Sequence, residues 1–287
     1  MERGRGAVAV LSIRTVAETG STNADLLAAA KTGASEGTWL RAERQTAGRG
    51  RLGRAWVSPE GNLYASTLVR LRATDPAAAT LALVAGVAVE EAVSVFVGSR
   101  RRHPGLVPGF SGRQAMPFEA PSASPAEPWT PEQVRGDGGF AAGGVRLKWP
   151  NDLLLDGAKL AGILLERLGD AVVIGIGANL AHHPDLPDRP ATSLAARGVE
   201  VAPAAFLDTL AEAFARWLAR WRGEGLTPVR VRWLERAHPV GTALSAQLPD
   251  GAVIQGLFDG LDHDGALILR LGGGERRVIH AGDVFLL

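Results

Sequence analysis

The chain has 287 residues, 46% of them hydrophobic and 21% charged, with a formal net charge of +1 and no cysteine. That length supports one large or two unequal packed domains, and the near-neutral charge removes bulk attraction to nucleic acid or an acidic membrane. Without thiols there are neither disulfides nor thiolate metal sites. The apolar run Ala7–Leu11 is too short for a secretory segment, and Glu90-Glu91 interrupts the longer one within Ala77–Val97. The latter therefore reads as a buried helix rather than a membrane span, and a cytoplasmic protein is expected.

In chain order, a strand is expected at Ser12–Ala17, then a helix at Asn23–Lys31 that Ser21 or Thr22 can cap and Gly33 ends. Thr38–Gln45 reads as a strand that delivers the chain into Gly48-Arg49-Gly50-Arg51-Leu52-Gly53-Arg54, and Asn62–Leu71 as the next strand. Asp75-Pro76 is a cap with a first-turn proline, opening a helix over Ala77–Val97. From Ser99 to Gly144, Pro, Gly, Ser and Ala replace any apolar period, the composition of a disordered or loosely packed surface insertion. Strands follow at Leu153–Leu155, Lys159–Arg167 and Ala171–Ala178, joined through Asp156-Gly157 and Gly169-Asp170, so this sheet is expected to be antiparallel. Helical periodicity returns over Ala204–Trp221 and Val229–Ala237. Beyond His238-Pro239, short strands at Thr242–Leu248, Ala252–Gly260, Ala266–Leu271 and Glu275–His280 suggest a small β-barrel.

Two segments stand out chemically. Three glycines let the loop at 48–54 approach a ligand, and its three arginines would repel one another without an anion among them. The alternatives are a solvated turn or a strand-like nucleic-acid contact, although the loop is single and lies between strands. The second segment is Lys148-Trp149-Pro150-Asn151-Asp152, in which proline restricts its neighbour and holds the polar pair after it. Among 31 Lys+Arg only Lys31, Lys148 and Lys159 are lysine, so an ammonium at 148 and 159 stands out against the arginine bias. Lys159 can meet Asp152 across the hairpin, as a site or as a plain surface ion pair. Ile174-Gly175-Ile176-Gly177-Ala178-Asn179 lacks the glycine-rich helix start of a dinucleotide fold, yet Asn179 could meet a ligand on the glycine backbone. His182-His183 lacks matching ligands nearby, and no residue is assigned to a metal.

Together these segments, with Glu18-Thr19-Gly20-Ser21-Thr22-Asn23, Gln45-Thr46-Ala47 ahead of the loop, Ser58-Pro59-Glu60-Gly61-Asn62-Leu63-Tyr64 and Lys159-Leu160-Ala161-Gly162-Ile163-Leu164, resemble the biotin–protein ligase family, in the family's order over residues 18–180. The resemblance implies an α+β fold with a central, mostly antiparallel sheet flanked by helices, of the class II synthetase kind, and an SH3-like β-barrel at the C-terminus. It implies a catalytic domain over 1–237, containing the 99–144 insertion, and a C-terminal domain over 238–287. The implied reaction joins biotin's carboxylate to the α-phosphate of ATP, then passes the acyl group to a lysine of a biotin carboxyl carrier domain. Mg²⁺ would accompany ATP.

By motif position, Ser21, Thr22, Asn23, Gln45, Gly48, Arg49, Gly50, Arg51 and Lys159 would bind biotin. Arg49, Arg51, Arg54, Trp56, Lys148, Asn151, Lys159 and Asn179 would bind ATP or the adenylate. Lys159 and Arg51 would be catalytic, and Asp152 would orient the acceptor lysine or take its proton. Because the motifs begin by Glu18, the form without the N-terminal DNA-binding domain is expected, with no DNA or membrane partner, as a monomer or homodimer. Rival readings are a lipoate or octanoyl ligase or transferase, and a nucleic-acid-binding module, which near-zero net charge disfavours.

Overall fold

Two sheets carry the fold in a computed structural model that describes residues 12–101, 144–185 and 189–287. The larger sheet contains β1 (Ser12–Thr19), β2 (Thr38–Gln45), β3 (Leu63–Arg70), β4 (Val145–Lys148), β5 (Asp152–Leu155), β6 (Ala158–Leu168) and β7 (Ala171–Ala178), in the order β1-β2-β3-β7-β6-β5-β4. Only β1 and β2 run parallel, and they are joined by helix α1 (Thr22–Lys31), the crossover that a parallel pair requires. Both Asp156 and Gly157 take positive φ, 52° and 80°, the geometry of a tight hairpin turn between β5 and β6. The smaller sheet is antiparallel throughout: β8 (Ala243–Gln247), β9 (Val253–Leu261), β10 (Leu267–Arg270), β11 (Arg276–Ile279) and β12 (Asp283–Leu286), in the order β11-β10-β9-β8-β12.

Alternation along the strands divides the large sheet between two apolar layers. Val69 and Ile174 face a core built with α2 (Leu81–Arg101), α3 (Pro203–Glu224) and α4 (Thr227–Arg236), in which Val84, Phe206 and Trp221 are fully buried. Leu68 and Val173, one residue out of step, pack instead on Leu26 and Ala30 of α1. Although α2 is apolar and long enough to cross a membrane, most of that stretch is buried against α3, α4 and the sheet.

The structure departs from the sequence reading at several places. Asp75 does not cap α2: its carboxylate accepts the Arg72 N–H at 3.0 Å and the Arg222 guanidinium at 3.3 Å. A side chain 3% exposed beside an arginine takes the charged partner, and helical structure starts instead with a tight turn at Ala78–Thr80. Ser21 occupies the N-cap position of α1 with extended backbone, but its hydroxyl makes no capping bond. Helix α2 continues to Arg101, past the expected end at Val97. Strands β4 and β12, four residues each, were not anticipated. The insertion expected over 99–144 falls, apart from its ends, outside the described residues.

His238, between α4 and β8, is buried and its Nε2 has no hydrogen-bond partner. Burial, aided by the charges of Lys148 and Arg146, pushes its pKa down to about 4. An unfolded imidazole takes its proton near pH 6.5, so on acidification through this window the unfolded chain gains a proton that the native chain refuses. The stability that His238 contributes is therefore complete above pH 6.5 and declines towards pH 4. The expected result is a lower urea midpoint at pH 5 than at pH 7, with the difference reduced in His238→Leu.

Candidate active site

Glycines open the site. Gly175 and Gly177 lie two apart on β7 and so face the same side, while Gly162 of β6 is the register partner of Gly177. The Trp56 indole packs on this floor so closely that a Cβ at Gly177 would lie 2.6 Å from its Cε2, and one at Gly162 3.1 Å from its Cζ3. A Cβ at Gly175 would collide with the Asn23 carboxamide. Above the floor is a cavity of about 440 Å³.

At one end stand Ser21, Thr22, Asn23 and Gln45, brought together where β1 enters α1 beside the end of β2. Gln45 Oε1 accepts from the Thr22 backbone N–H at 2.9 Å and from its hydroxyl at 3.1 Å. Asn23 Nδ2 donates to Glu166 at 2.8 Å, and its Oδ1 accepts from the fully buried Ser66 hydroxyl at 2.6 Å. Satisfied buried amides of this kind are held in one orientation. The uncapped Ser21 hydroxyl remains directed to no helix donor.

The other end is cationic. Arg49, Arg51, Arg54, Lys148, Lys159 and Arg189 line the cavity, against two carboxylates, Asp152 and Asp283. Asp152 Oδ1 lies 2.6 Å from Lys159 Nζ, and its Oδ2 is 3.4 Å from Lys148 Nζ. With side chains 32% and 13% exposed, the Lys159–Asp152 contact is not a plain surface pair. Burial lowers the pKa of Lys148; Lys159 adds to that effect and Asp152 opposes it. Lys159 Nζ also stands 5.5 Å from the Trp56 ring centroid. Across the cavity, β12 closes the wall: Asp283 pairs with Arg54 and, at 3.4 Å, with Arg51, which also donates to Gly282 O at 3.2 Å. Although burial works to raise the Asp283 pKa, the Arg54 and Arg51 guanidiniums hold it below the ordinary carboxylate value.

Of the residues selected from the sequence, all but Gly48 line this cavity. Gly48 acts on the loop's shape instead, since a Cβ there would lie 2.6 Å from Trp56 O and 2.7 Å from Ser58 Oγ. Asn151 and Asn179 are partly committed to the wall: Asn151 Nδ2 donates to Ile163 O at 2.6 Å and Asn179 Nδ2 to Thr192 O at 3.1 Å. Sequence reasoning missed Ser66, Glu166, Arg189, Asp283 and Phe285. Ser66 and Glu166 sit inside ordinary strands and carry no local signal; Asp283 belongs to, and Phe285 follows, a Gly-Asp step that could have been read as one more strand start.

Residues 19–179 match the biotin/lipoate A/B protein ligase family, and residues 245–287 match the biotin protein ligase C-terminal domain. The biotin–[acetyl-CoA-carboxylase] ligase of Paracoccus denitrificans is 38% identical over 281 residues, covering 94% of this chain and 98% of that protein. The enzyme of the same name from Mycobacterium tuberculosis is 35% identical, covering 94% of this chain and 86% of that protein. In fold, the chain superposes on the biotin protein ligase of Aquifex aeolicus in complex with biotin and ATP with a TM-score of 0.72, at 23% identity, covering 96% of this chain and 99% of that one. The Leishmania major biotin protein ligase in complex with biotinyl-5-AMP gives a TM-score of 0.57 at 26% identity, covering 94% and 99%. The expected α+β architecture, a mostly antiparallel sheet with helices and a small antiparallel C-terminal sheet, agrees with these neighbours. The chain belongs to the biotin–protein ligases of the biotin/lipoate A/B protein ligase family.

Proposed function

We propose that this chain is an ATP-dependent biotin–protein ligase that forms biotinyl-5′-AMP and transfers biotin to a lysine of a carrier domain, that of acetyl-CoA carboxylase or another biotin-dependent carboxylase, in the cytoplasm. The observation that carries the reading is one cavity lined both by the hydrogen-bonding side chains of Ser21, Thr22, Asn23 and Gln45 and by six cations, Lys159 among them. Ser21, Thr22, Asn23 and Gln45 suit the polar head of biotin, and Arg49 and Gly50 close over it on the loop that Gly48 shapes. Its carboxylate then points towards Lys159 and Arg51. A carboxylate meeting a polyphosphate is repulsive, and fixed cations in a sheltered site offset that repulsion in the transition state. Trp56, with Asn151 and Asn179, would receive the adenine, while Arg54 and Lys148 face the phosphates. We read residues 1–237 as the catalytic domain and 238–287 as the C-terminal domain.

In the first half-reaction a biotin carboxylate oxygen attacks the α-phosphorus, and the bond to the bridging oxygen breaks as pyrophosphate departs. In the second, the acceptor amine attacks the acyl carbon and AMP leaves; Asp152 orients that amine or takes its proton. Asp152 and Asp283, the carboxylates lining the cavity among the described residues, are each engaged by two cations. That donor set does not fit a protein-held Mg²⁺.

The test is incubation with ATP, Mg²⁺, biotin or lipoate and a carrier domain, followed by intact mass. A biotin-sized increment on one acceptor lysine is expected. A lipoyl-sized increment, or none with biotin, overturns the assignment.

A further inference from the structure

Of the six cations that line the cavity, four already share a carboxylate: Lys148 and Lys159 meet at Asp152, and Arg51 and Arg54 meet at Asp283. Of these six, Arg49 and Arg189 make no ion pair within 4 Å among the described residues, although the Arg189 charge adds to those that hold the Asp283 pKa down. Arg49 belongs to the glycine-rich loop, whereas Arg189 lies outside every motif that marked the site. Its position is set by backbone: the next residue, Pro190, accepts the Lys159 N–H at 2.8 Å, and the Thr192 N–H returns to Lys159 O at 3.0 Å. The segment carrying Arg189 is therefore pinned to the strand that carries Lys159.

The C-terminal sheet supplies the second support. Phe285 of β12 lines the cavity, with the Arg189 guanidinium 5.8 Å and the Lys148 ammonium 5.9 Å from its ring centroid. An aromatic ring face attracts both cations, so two positive groups are held against one side chain of the cavity wall. Two cations lining one cavity and sharing one aromatic ring match a dianionic or more highly charged group of two linked phosphates. Guanidinium forks bind such oxygens in a planar, bidentate manner that an ammonium cannot reproduce.

Resting on the ligase reading, we propose that Arg189, positioned by the Phe285 ring, binds the β- and γ-phosphates of ATP and holds the pyrophosphate leaving group. As the bond between the α-phosphorus and the bridging oxygen breaks, the electron pair passes to pyrophosphate, and Arg189 neutralises charge developing there. The biotinyl-adenylate carries no β- or γ-phosphate, so Arg189 serves the first half-reaction and not the second.

The experiment uses the full chain and two probes, inorganic pyrophosphate by titration calorimetry and chemically made biotinyl-5′-AMP with a carrier domain. Arg189→Gln is expected to weaken pyrophosphate binding about tenfold and to raise KM for ATP by a similar factor. KM for biotin stays within twofold, and so does transfer from the ready-made adenylate. Arg189→Lys recovers part of the loss, and Phe285→Leu reproduces part of it; thermal midpoints report that each variant is folded. Pyrophosphate affinity and ATP KM within twofold of the parent would overturn the assignment. So would an equal loss in transfer from the adenylate, which indicates a general structural role. If the parent bound pyrophosphate with this Arg189 dependence but failed to activate biotin, the phosphate subsite would stand and the choice of acid would fall.

Discussion

Lys159→Arg is expected to lower pyrophosphate release from biotin and ATP by about 10²–10³-fold, the loss typical of removing one preorganised charge from a transition state. The substitution retains the charge and changes its shape. The Lys159 stem packs against the glycine floor: a Cβ placed on Gly162 would lie 3.3 Å from Lys159 Cε and 3.4 Å from its Nζ. On the other side the ammonium is 2.6 Å from Asp152 and 5.5 Å from the Trp56 centroid. A planar guanidinium is broader than this slot and cannot present a compact point charge where carboxylate and α-phosphate converge. Lys159→Ala should be at least as inactive. Folding survives in both, because Asp152 keeps Lys148 at 3.4 Å as a partner and is not left as an unpaired charge. Pyrophosphate release measured beside the thermal midpoint checks both halves; near-normal release by either variant would remove Lys159 from the chemistry.

The legible part of the site is the part written in consecutive residues. Glycines alternating with arginines at 48–54, and a proline ahead of Asn151-Asp152, declare backbone freedom and restraint locally, and the hairpin at Asp156-Gly157 brings Lys159 to Asp152 through a short loop. What stayed hidden is set by distant pairing. Arg51 meets Gly282 and Asp283 across more than two hundred residues, and nothing in Asp283–Leu286 alone indicates that this strand returns over the cavity. Ser66 is one hydroxyl in a strand of ordinary composition, and its value comes from Asn23 and Thr22 lying opposite. Asp75 shows the converse failure. Its local pattern reads as a cap, but Arg222 from α3, 147 residues later, and the Arg72 N–H claim the carboxylate. Arg222 is itself bound to Glu36 at 2.6 Å, so the carboxylate joins a buried network rather than a helix end.

The two glycines of β7 should separate the two substrates. As a motif, Gly175-Ile176-Gly177 is weak, because glycine pairs of this kind recur in many folds. In three dimensions each has its own neighbour. Gly175 lies beneath Asn23, at the neutral end of the cavity; Gly177 lies beneath Trp56, between that end and the cations. An added methyl at 175 must push the Asn23 carboxamide away from Ser66 and Glu166, which now fix it at 2.6 and 2.8 Å. An added methyl at 177, 2.6 Å from Trp56 Cε2 and 2.8 Å from its Nε1, must lift the indole from its floor. Displacing a positioned group by about 1 Å can cost about 10²-fold in rate or binding, and overpacking costs about 1–3 kcal/mol of stability. Gly175→Ala is therefore expected to raise KM for biotin about a hundredfold with a much smaller change in KM for ATP, and Gly177→Ala to do the reverse. Gly162→Ala, where the nearest ring atom would be 3.1 Å away, should follow Gly177→Ala in direction with a smaller effect. Steady-state kinetics with each substrate varied in turn, alongside tryptophan fluorescence for the Gly177 variant, decide the matter. Equal shifts in both KM values for both variants would show that the floor is a single packed unit with no division between acid and nucleotide.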